Sequence, residues 1–264
     1  MEHPDVTKLY KYRTFSPRSL GMLANNRVYF AASFAFNDPF DCRARREFEF
    51  SSTEDFVKKM TPLESSHEKI PIPEAIDRLQ QIASDSASYS SYLEKKSQLF
   101  QKLAMEQFGI YTMSETPLDI LMWSHYADGH TGFCIEFRRK PGNILEFARK
   151  VEYPEDDEFP LVDYFLGKTE EQIEEFAKIV LTKSKHWCYE REWRALDAPK
   201  DVEGRYKGHE KEYDDDEMLS GIIFGLRMPE KNRQVIRKLL SEKNVSYYDA
   251  KMVKNKFQIE IAPT

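Results

Sequence analysis

Cysteine is scarce: the 264 residues hold three, Cys42, Cys134 and Cys188, far apart and with no Cys-x-x-Cys spacing. That scarcity argues against a disulfide framework and against a zinc site, and it fits a reducing compartment. Long apolar runs are missing as well. No stretch approaches the roughly twenty apolar residues that span a bilayer, and the opening Met1–Tyr10 is charged and has no apolar centre. A soluble, cytoplasmic protein with no membrane partner is expected. Net positive charge is also lacking. A formal charge of −6 does not suit nonspecific binding of duplex DNA through phosphate neutralisation, so any nucleic-acid role needs a local basic groove.

Aromatic residues make up 13% of the chain, hydrophobic residues 41% and charged residues 32%, which describes a globular core under a heavily solvated surface. Lys8 to Thr14 alternates as a strand, Ser16-Pro17 has the form of an N-cap with proline at the first helical position, and Asn25-Asn26 ends that helix. Further strands are expected at Val28–Ser33, Gly109–Ser114, Gly132–Phe137, Lys150–Tyr153, Met218–Gly225, Val245–Ala250 and Phe257–Ile261. Helices are expected in Leu118–His130, Thr169–Lys185 and Pro229–Lys243. Residues 51–108 turn to helix formers and read as a helical insertion, broken at Pro71 and Pro73 and again in the serine-rich Ser84–Ser91. The expectation is a single α+β domain over residues 1–264, with a mixed or antiparallel, possibly split, β-sheet.

The segment Trp187-Cys188-Tyr189-Glu190-Arg191-Glu192-Trp193-Arg194 sets two acids two residues apart among aromatic and basic side chains. In a strand, Glu190, Glu192 and Arg194 would share one face and Tyr189, Arg191 and Trp193 the other. Two carboxylates in one space raise the pKa of one of them, which suits acid/base chemistry. It equally suits a site where one carboxylate stabilises an oxocarbenium ion at a sugar C1 and the other orients the nucleophile. The plain alternative is an exposed strand face on which Arg194 neutralises Glu192.

Two more segments concentrate polar groups among aromatics. In Tyr10-Lys11-Tyr12-Arg13 the tyrosines take one face and the cations the other, making Arg13, beside Tyr12, a candidate phosphate ligand or else a solvent-facing arginine. In Met122–Gly132, Trp123, His125 and Tyr126 could hold an aromatic ring while Ser124 and His125 bond its polar edge. Otherwise this is a structural helix end. His125 and His130 lie five apart, off the spacing of a helical zinc pair, so no metal is expected there. In Phe36-Asn37-Asp38-Pro39-Phe40-Asp41 the phenylalanines should anchor a polar turn, and Asp38 and Asp41 could join Glu190 and Glu192 in a metal-dependent nuclease site. Asp214–Glu217 reads as a solvated acidic loop and Gly221–Gly225 lacks phosphate-loop spacing.

The ordered motifs Leu9-Tyr10-Lys11-Tyr12-Arg13, Phe36–Asp41, Met122–Ala127, His130-Thr131-Gly132 and Tyr189–Arg194 resemble a widespread bacterial family of unknown function. More loosely, the order of parts resembles the ADP-ribosyltransferase superfamily. That resemblance implies NAD as substrate, bound in a cleft between two small sheets, with Arg13 and Tyr12 toward its phosphates or ribose and Ser124, His125 or Tyr126 near nicotinamide. It further implies that Glu192 holds the ribose 2′-hydroxyl and stabilises the oxocarbenium ion while Glu190 orients the acceptor, a protein or nucleic acid, or water in a glycohydrolase. A toxin or phage-defence role accompanies such an enzyme. The middle segment departs from that superfamily's Ser-Thr-Ser pattern. A noncatalytic nucleotide- or partner-binding module is the third reading.

Overall fold

The computed structural model of the chain describes residues 3–45, 48–163, 169–197, 207–213 and 218–264. Its elements run β1 (Lys8–Arg13), α1 (Pro17–Ala24), β2 (Arg27–Ala32), α2 (Thr53–Glu68), α3 (Ile72–Ala83), α4 (Ser86–Gln107), β3 (Gly109–Ser114), α5 (Ile120–Tyr126), β4 (Phe133–Arg138), β5 (Arg149–Lys150), α6 (Thr169–Leu181), β6 (Glu192–Asp197), β7 (His209–Glu212), β8 (Leu219–Phe224), α7 (Glu230–Leu239), β9 (Ser246–Met252) and β10 (Ile259–Pro263). The fold is α+β. The chain divides into two compact units: Met1–Asp41 with Gln107–Glu158 and Leu181–Thr264, and Cys42–Glu106 with Phe159–Val180.

The first unit holds the sheet, in the order β10-β9-β8-β4-β1-β3-β2-β7 with β6 on β3 and β5 on β6. Among the described strands, β8 and β9 run parallel and the other pairs run antiparallel. All six residues of β8 are buried, as a near-continuous apolar strand inside a sheet requires. The sheet divides at β3. Strand β6 pairs with β3 from Gly109 to Ser114, so β1 and β2 must share the opposite edge, β1 meeting it at Ser114 and β2 at Gly109 and Ile110. Thr112, midway, is left between the two.

Alternation along β6 decides what faces what. Trp193 and Ala195 are buried in the core formed with Leu9, Tyr111, Met113 and Phe137, which turns Glu192 and Arg194 to the other face, opposite Ser114 and Thr112. A one-residue slip of β6 would drive Arg194 into that core, at a cost on the order of several kcal/mol, so the register is firmly set. On β1, Tyr12 joins Trp123 of α5, ring against ring at 5.1 Å, in a second cluster with Cys134 and Ile223. The separation of Tyr10 and Tyr12 from Lys11 and Arg13 follows the same alternation.

In the second unit, Phe56, Met60, Leu79 and Tyr92 form the core of α2, α3 and α4. Only Ser84 and Asp85 separate α3 from α4, so most of the serine-rich segment is helical. Two further expectations need correction or placing, and one strand was not expected. Phe40 is 67% exposed and does not anchor its loop; the turn is held instead by Asp38, whose Oδ1 accepts from the Phe40 N–H at 2.9 Å. Strand β7, charged throughout as His-Glu-Lys-Glu, had no apolar alternation to reveal it. The acidic run Asp214–Glu217 lies outside the described residues.

Gly132 and Gly225 permit the close approach of β1, β4 and the turn after β8. A Cβ on Gly132 would stand 2.2 Å from the Arg13 carbonyl oxygen and 2.9 Å from that of Ala127. Gly132→Ala should therefore destabilise the protein by about 2–4 kcal/mol in urea denaturation. Gly21→Ala, in α1 with open space around it, should add roughly 0.5–1 kcal/mol. A Gly132→Ala midpoint equal to wild type would contradict this packing.

Candidate functional site

Where the sheet divides, a cleft with a cavity volume of about 110 Å³, partly open to solvent, is lined by Lys11, Tyr12, Asn37, Tyr126, Glu190 and Glu192 among others. All its described lining residues belong to the first unit. The acidic pair reaches it by two routes. Residues Lys185–Glu190 form a 3-10 helix, opened by Ser184, whose Oγ accepts from the His186 N–H, and closed by Arg191 in the left-handed region at φ 43°. Strand β6 begins only at Glu192. The simple strand expected across this segment is therefore corrected, yet Glu190, Glu192 and Arg194 do converge. A left-handed arginine costs on the order of 1 kcal/mol, and the surrounding bonds hold it there. The Ser114 hydroxyl donates to the Glu190 carbonyl at 2.7 Å, and the Glu115 N–H donates to the Arg191 carbonyl at 3.0 Å.

A buried ion network backs the cleft. Arg194 donates two parallel bonds to Asp41, at 2.9 and 2.7 Å, and one from Nε to Glu192 at 2.7 Å. Lys183 bridges the acids, with Nζ 2.5 Å from Glu190 Oε2, 2.9 Å from Glu192 Oε2 and 3.7 Å from Asp41. Glu190 also accepts from the Tyr126 hydroxyl at 2.6 Å. Each of these five charged residues is less than a tenth exposed. Burial opposes every charge here, and partners decide the outcome. Glu192 would be raised by burial, but Arg194 and Lys183 hold its carboxyl at about 2. Glu190, buried and repelled by Glu192, stays above the usual carboxylate range despite Lys183. Lys183 is pushed up, because the three acids outweigh its burial.

Lys11 behaves in the opposite way. Its Nζ donates to the Thr112 carbonyl and, at 2.7 Å, to the Thr112 hydroxyl, in the stretch of β3 between the β1 and β2 pairings. Burial, with Arg13 and Lys183 nearby, lowers its pKa to about 7 against the pull of Glu192 and Glu190. The early strand thus contributes a cleft-lining lysine. Arg13 is not among the lining residues; it lies against Tyr111, countering the rise that burial gives that hydroxyl.

The middle segment supplies one lining tyrosine. Asp119 caps α5, its Oδ1 accepting from the Met122 N–H at 2.9 Å, and the Trp123 indole donates to the Pro117 carbonyl at 2.8 Å. With Trp123 fixed inward, the helical turn of about 100° per residue carries Ser124 and His125 to the exposed side and returns Tyr126 to the cleft. Ser124 bonds the Ile120 carbonyl and approaches His130, and His125 packs edge-on to Tyr126. Of the expected ligand-binding residues, Tyr12, Tyr126, Glu190 and Glu192 meet in the cleft, whereas Arg13, Ser124 and His125 do not line it.

Asp41, Glu190 and Glu192 converge, but Lys183 and Arg194 take up the space between their carboxylates, and Asp38 is engaged in its own turn. Among the described residues no three His, Cys, Asp or Glu side chains are placed to hold a metal ion, and no helix is long and apolar enough to cross a membrane. Lys183 escaped the sequence reading. It stands in Thr-Lys-Ser-Lys, where nothing distinguishes it from Lys185, which is exposed and bonds the Glu155 carbonyl.

Residues 122–195 match DUF2971, a protein family of unknown function, a span that includes Tyr126, Lys183, Glu190 and Glu192. No curated protein and no solved structure matches the chain.

Lys183→Met should cost about 3–5 kcal/mol at neutral pH, since it leaves buried carboxylates undercompensated. Without Lys183 the folded-state pKa values of Glu190 and Glu192 move up, so the deficit should shrink as pH falls toward the ordinary carboxylate value of 4.5. In the wild type, the stabilisation from Glu192 is present above 4.5 and lost as pH falls through about 2. Urea denaturation of both proteins across that range measures the difference; equal stability at neutral pH would contradict the network.

Proposed function

We propose that the chain is an ADP-ribosyltransferase-type enzyme, or NAD glycohydrolase, that breaks the nicotinamide–ribose bond of NAD at this cleft. One observation carries the reading: both acids of the late Glu-Arg-Glu segment line the same cleft as Lys11 and Tyr12 of the first strand and Tyr126 of the middle segment. Among the described residues, Asp41, Glu190 and Glu192 pair with Lys183 and Arg194 beside the cleft, and carboxylate charge there favours a developing oxocarbenium ion.

The two acids differ in what they can still do. Glu192 accepts from Arg194 at both oxygens and from Lys183, so most of its lone-pair capacity is used. Glu190 accepts one bond at each oxygen, from Tyr126 and from Lys183, and keeps a lone pair on each. We therefore assign the working carboxylate to Glu190 and the fixed negative charge to Glu192, reversing the weight that the resemblance gives them. As the C1–N bond breaks, its electron pair leaves with nicotinamide. The attacking hydroxyl, of acceptor or water, bonds C1 and gives its proton to Glu190.

Incubation with NAD labelled in its adenine, in the presence of cell extract, should give nicotinamide release with label transferred or freed as ADP-ribose. Glu190→Gln should reduce the rate at least about 100-fold with little change in fold. Absence of both nicotinamide release and label transfer would overturn the proposal. Magnesium-dependent degradation of RNA or DNA, lost on Asp41→Asn, would instead favour the nuclease reading; NAD-induced thermal stabilisation without turnover would favour a binding module.

A further inference from the structure

Two lysines share this cleft and have opposite surroundings. Lys183 contacts three carboxylates and is a permanent cation. Lys11, although the acids are near enough to act on it, has no carboxylate of the described residues within ion-pair distance: its partners are the Thr112 carbonyl and hydroxyl, with the Tyr111 ring 5.1 Å away. A neutral amine has two N–H donors and one lone pair. Thr112 offers two acceptors, which satisfy both donors and leave the lone pair unclaimed. Lys183 and Arg194 draw Asp41 and Glu192 into their own ion pairs, and Glu190 is bonded by Lys183 at one oxygen and by Tyr126 at the other. The fold has thus placed a partly buried amine, with no carboxylate partner among the described residues, in the wall of a cleft, the setting in which lysines act as nucleophiles toward carbonyls.

We propose that Lys11 is a carbonyl-capturing residue that forms an imine with the aldehyde of an open-chain sugar entering the cleft. Its lone pair forms the new C–N bond to the carbonyl carbon. The carbonyl oxygen becomes a hydroxyl and departs as water, with both protons drawn in sum from the amine. Glu190, which lines the same cleft and stays protonated to higher pH than an ordinary carboxyl, relays a proton to the departing hydroxyl and recovers one from nitrogen. The carboxylate-rich lining accepts from sugar hydroxyls and disfavours a wholly anionic ligand. The groups that tune the amine are Arg13 on its own strand, Tyr111 on β3, and Glu190, Glu192 and Lys183 across the cleft. Its pKa of about 7 leaves a large neutral fraction at physiological pH.

The proposal stands independently of NAD turnover, and its test needs no substrate to be known. The full-length protein is treated with glyceraldehyde, the smallest aldose, and sodium cyanoborohydride at neutral pH, and the reduced adducts are located by peptide mass spectrometry. Lys11 should be modified about tenfold or more faster than exposed lysines such as Lys185, because ordinary lysines are almost wholly protonated there. In urea-unfolded protein that preference should vanish. Modification of Lys11 at or below the rate of exposed lysines would overturn the proposal. Nicotinamide release assayed on the same preparation separates this outcome from failure of the NAD reading.

Discussion

The lattice of ion pairs joining Asp41, Arg194, Glu192, Lys183 and Glu190 is the constraint on which the rest of the site depends. Placing five charged groups where each is less than a tenth exposed is costly, and such a cluster is tolerable only when nearly every lone pair and proton has a partner. That requirement explains several local oddities together. Arg191 adopts a left-handed conformation so that the chain can pass from a helical turn into β6 with both acids facing inward. The loop after β2 must deliver Asp41 to Arg194, which it does through a turn closed by the Asp41 N–H donating to the Asp38 carbonyl at 3.2 Å. A cluster this expensive adds little stability over an apolar core of the same volume, so its presence at a cleft points to chemistry or binding.

The divided sheet supplies the space. Because β1 and β2 share one edge of β3 without meeting along it, the backbone near Thr112 lacks a described neighbouring strand on that edge, and the Lys11 side chain takes up that position. One geometric fact thereby produces both the opening and its unusual amine. Acidic and basic functions are separated by surroundings alone: two glutamates, one held low by cations and one raised by burial, and two lysines, one paired and one not.

Much of this was legible in the residue order. Aromatic alternation identified β1, short runs bounded by turn or polar residues identified β3 and β4, a near-continuous apolar run identified β8, and Ser16-Pro17 marked the start of α1 because capping chemistry is local. The Glu-x-Glu segment stood out because it sets two acids among tryptophan and tyrosine, but an exposed strand face fitted the same residues, and only packing shows that the acids turn inward. Its local conformation was not, because a 3-10 turn and a strand can carry the same residues to the same face. The side of α5 that meets the cleft depended on where Trp123 packs, a tertiary fact. Lys183 and the pairing of Asp41 with Arg194 were illegible, as 153 positions separate the latter two and ion pairing leaves no periodic trace. β7 is an edge strand of charged residues and carries no apolar signal.

The most direct test of this account is a carboxyl titration of Glu190 and Glu192 followed by carbon-13 NMR, with each resonance assigned by its glutamine variant. The account predicts two separated steps, Glu192 at about 2 and Glu190 above the ordinary carboxylate value of 4.5. Both residues titrating together near 4.5 would mean that the buried lattice does not exist in solution and that the cleft lacks the charge on which its chemistry depends.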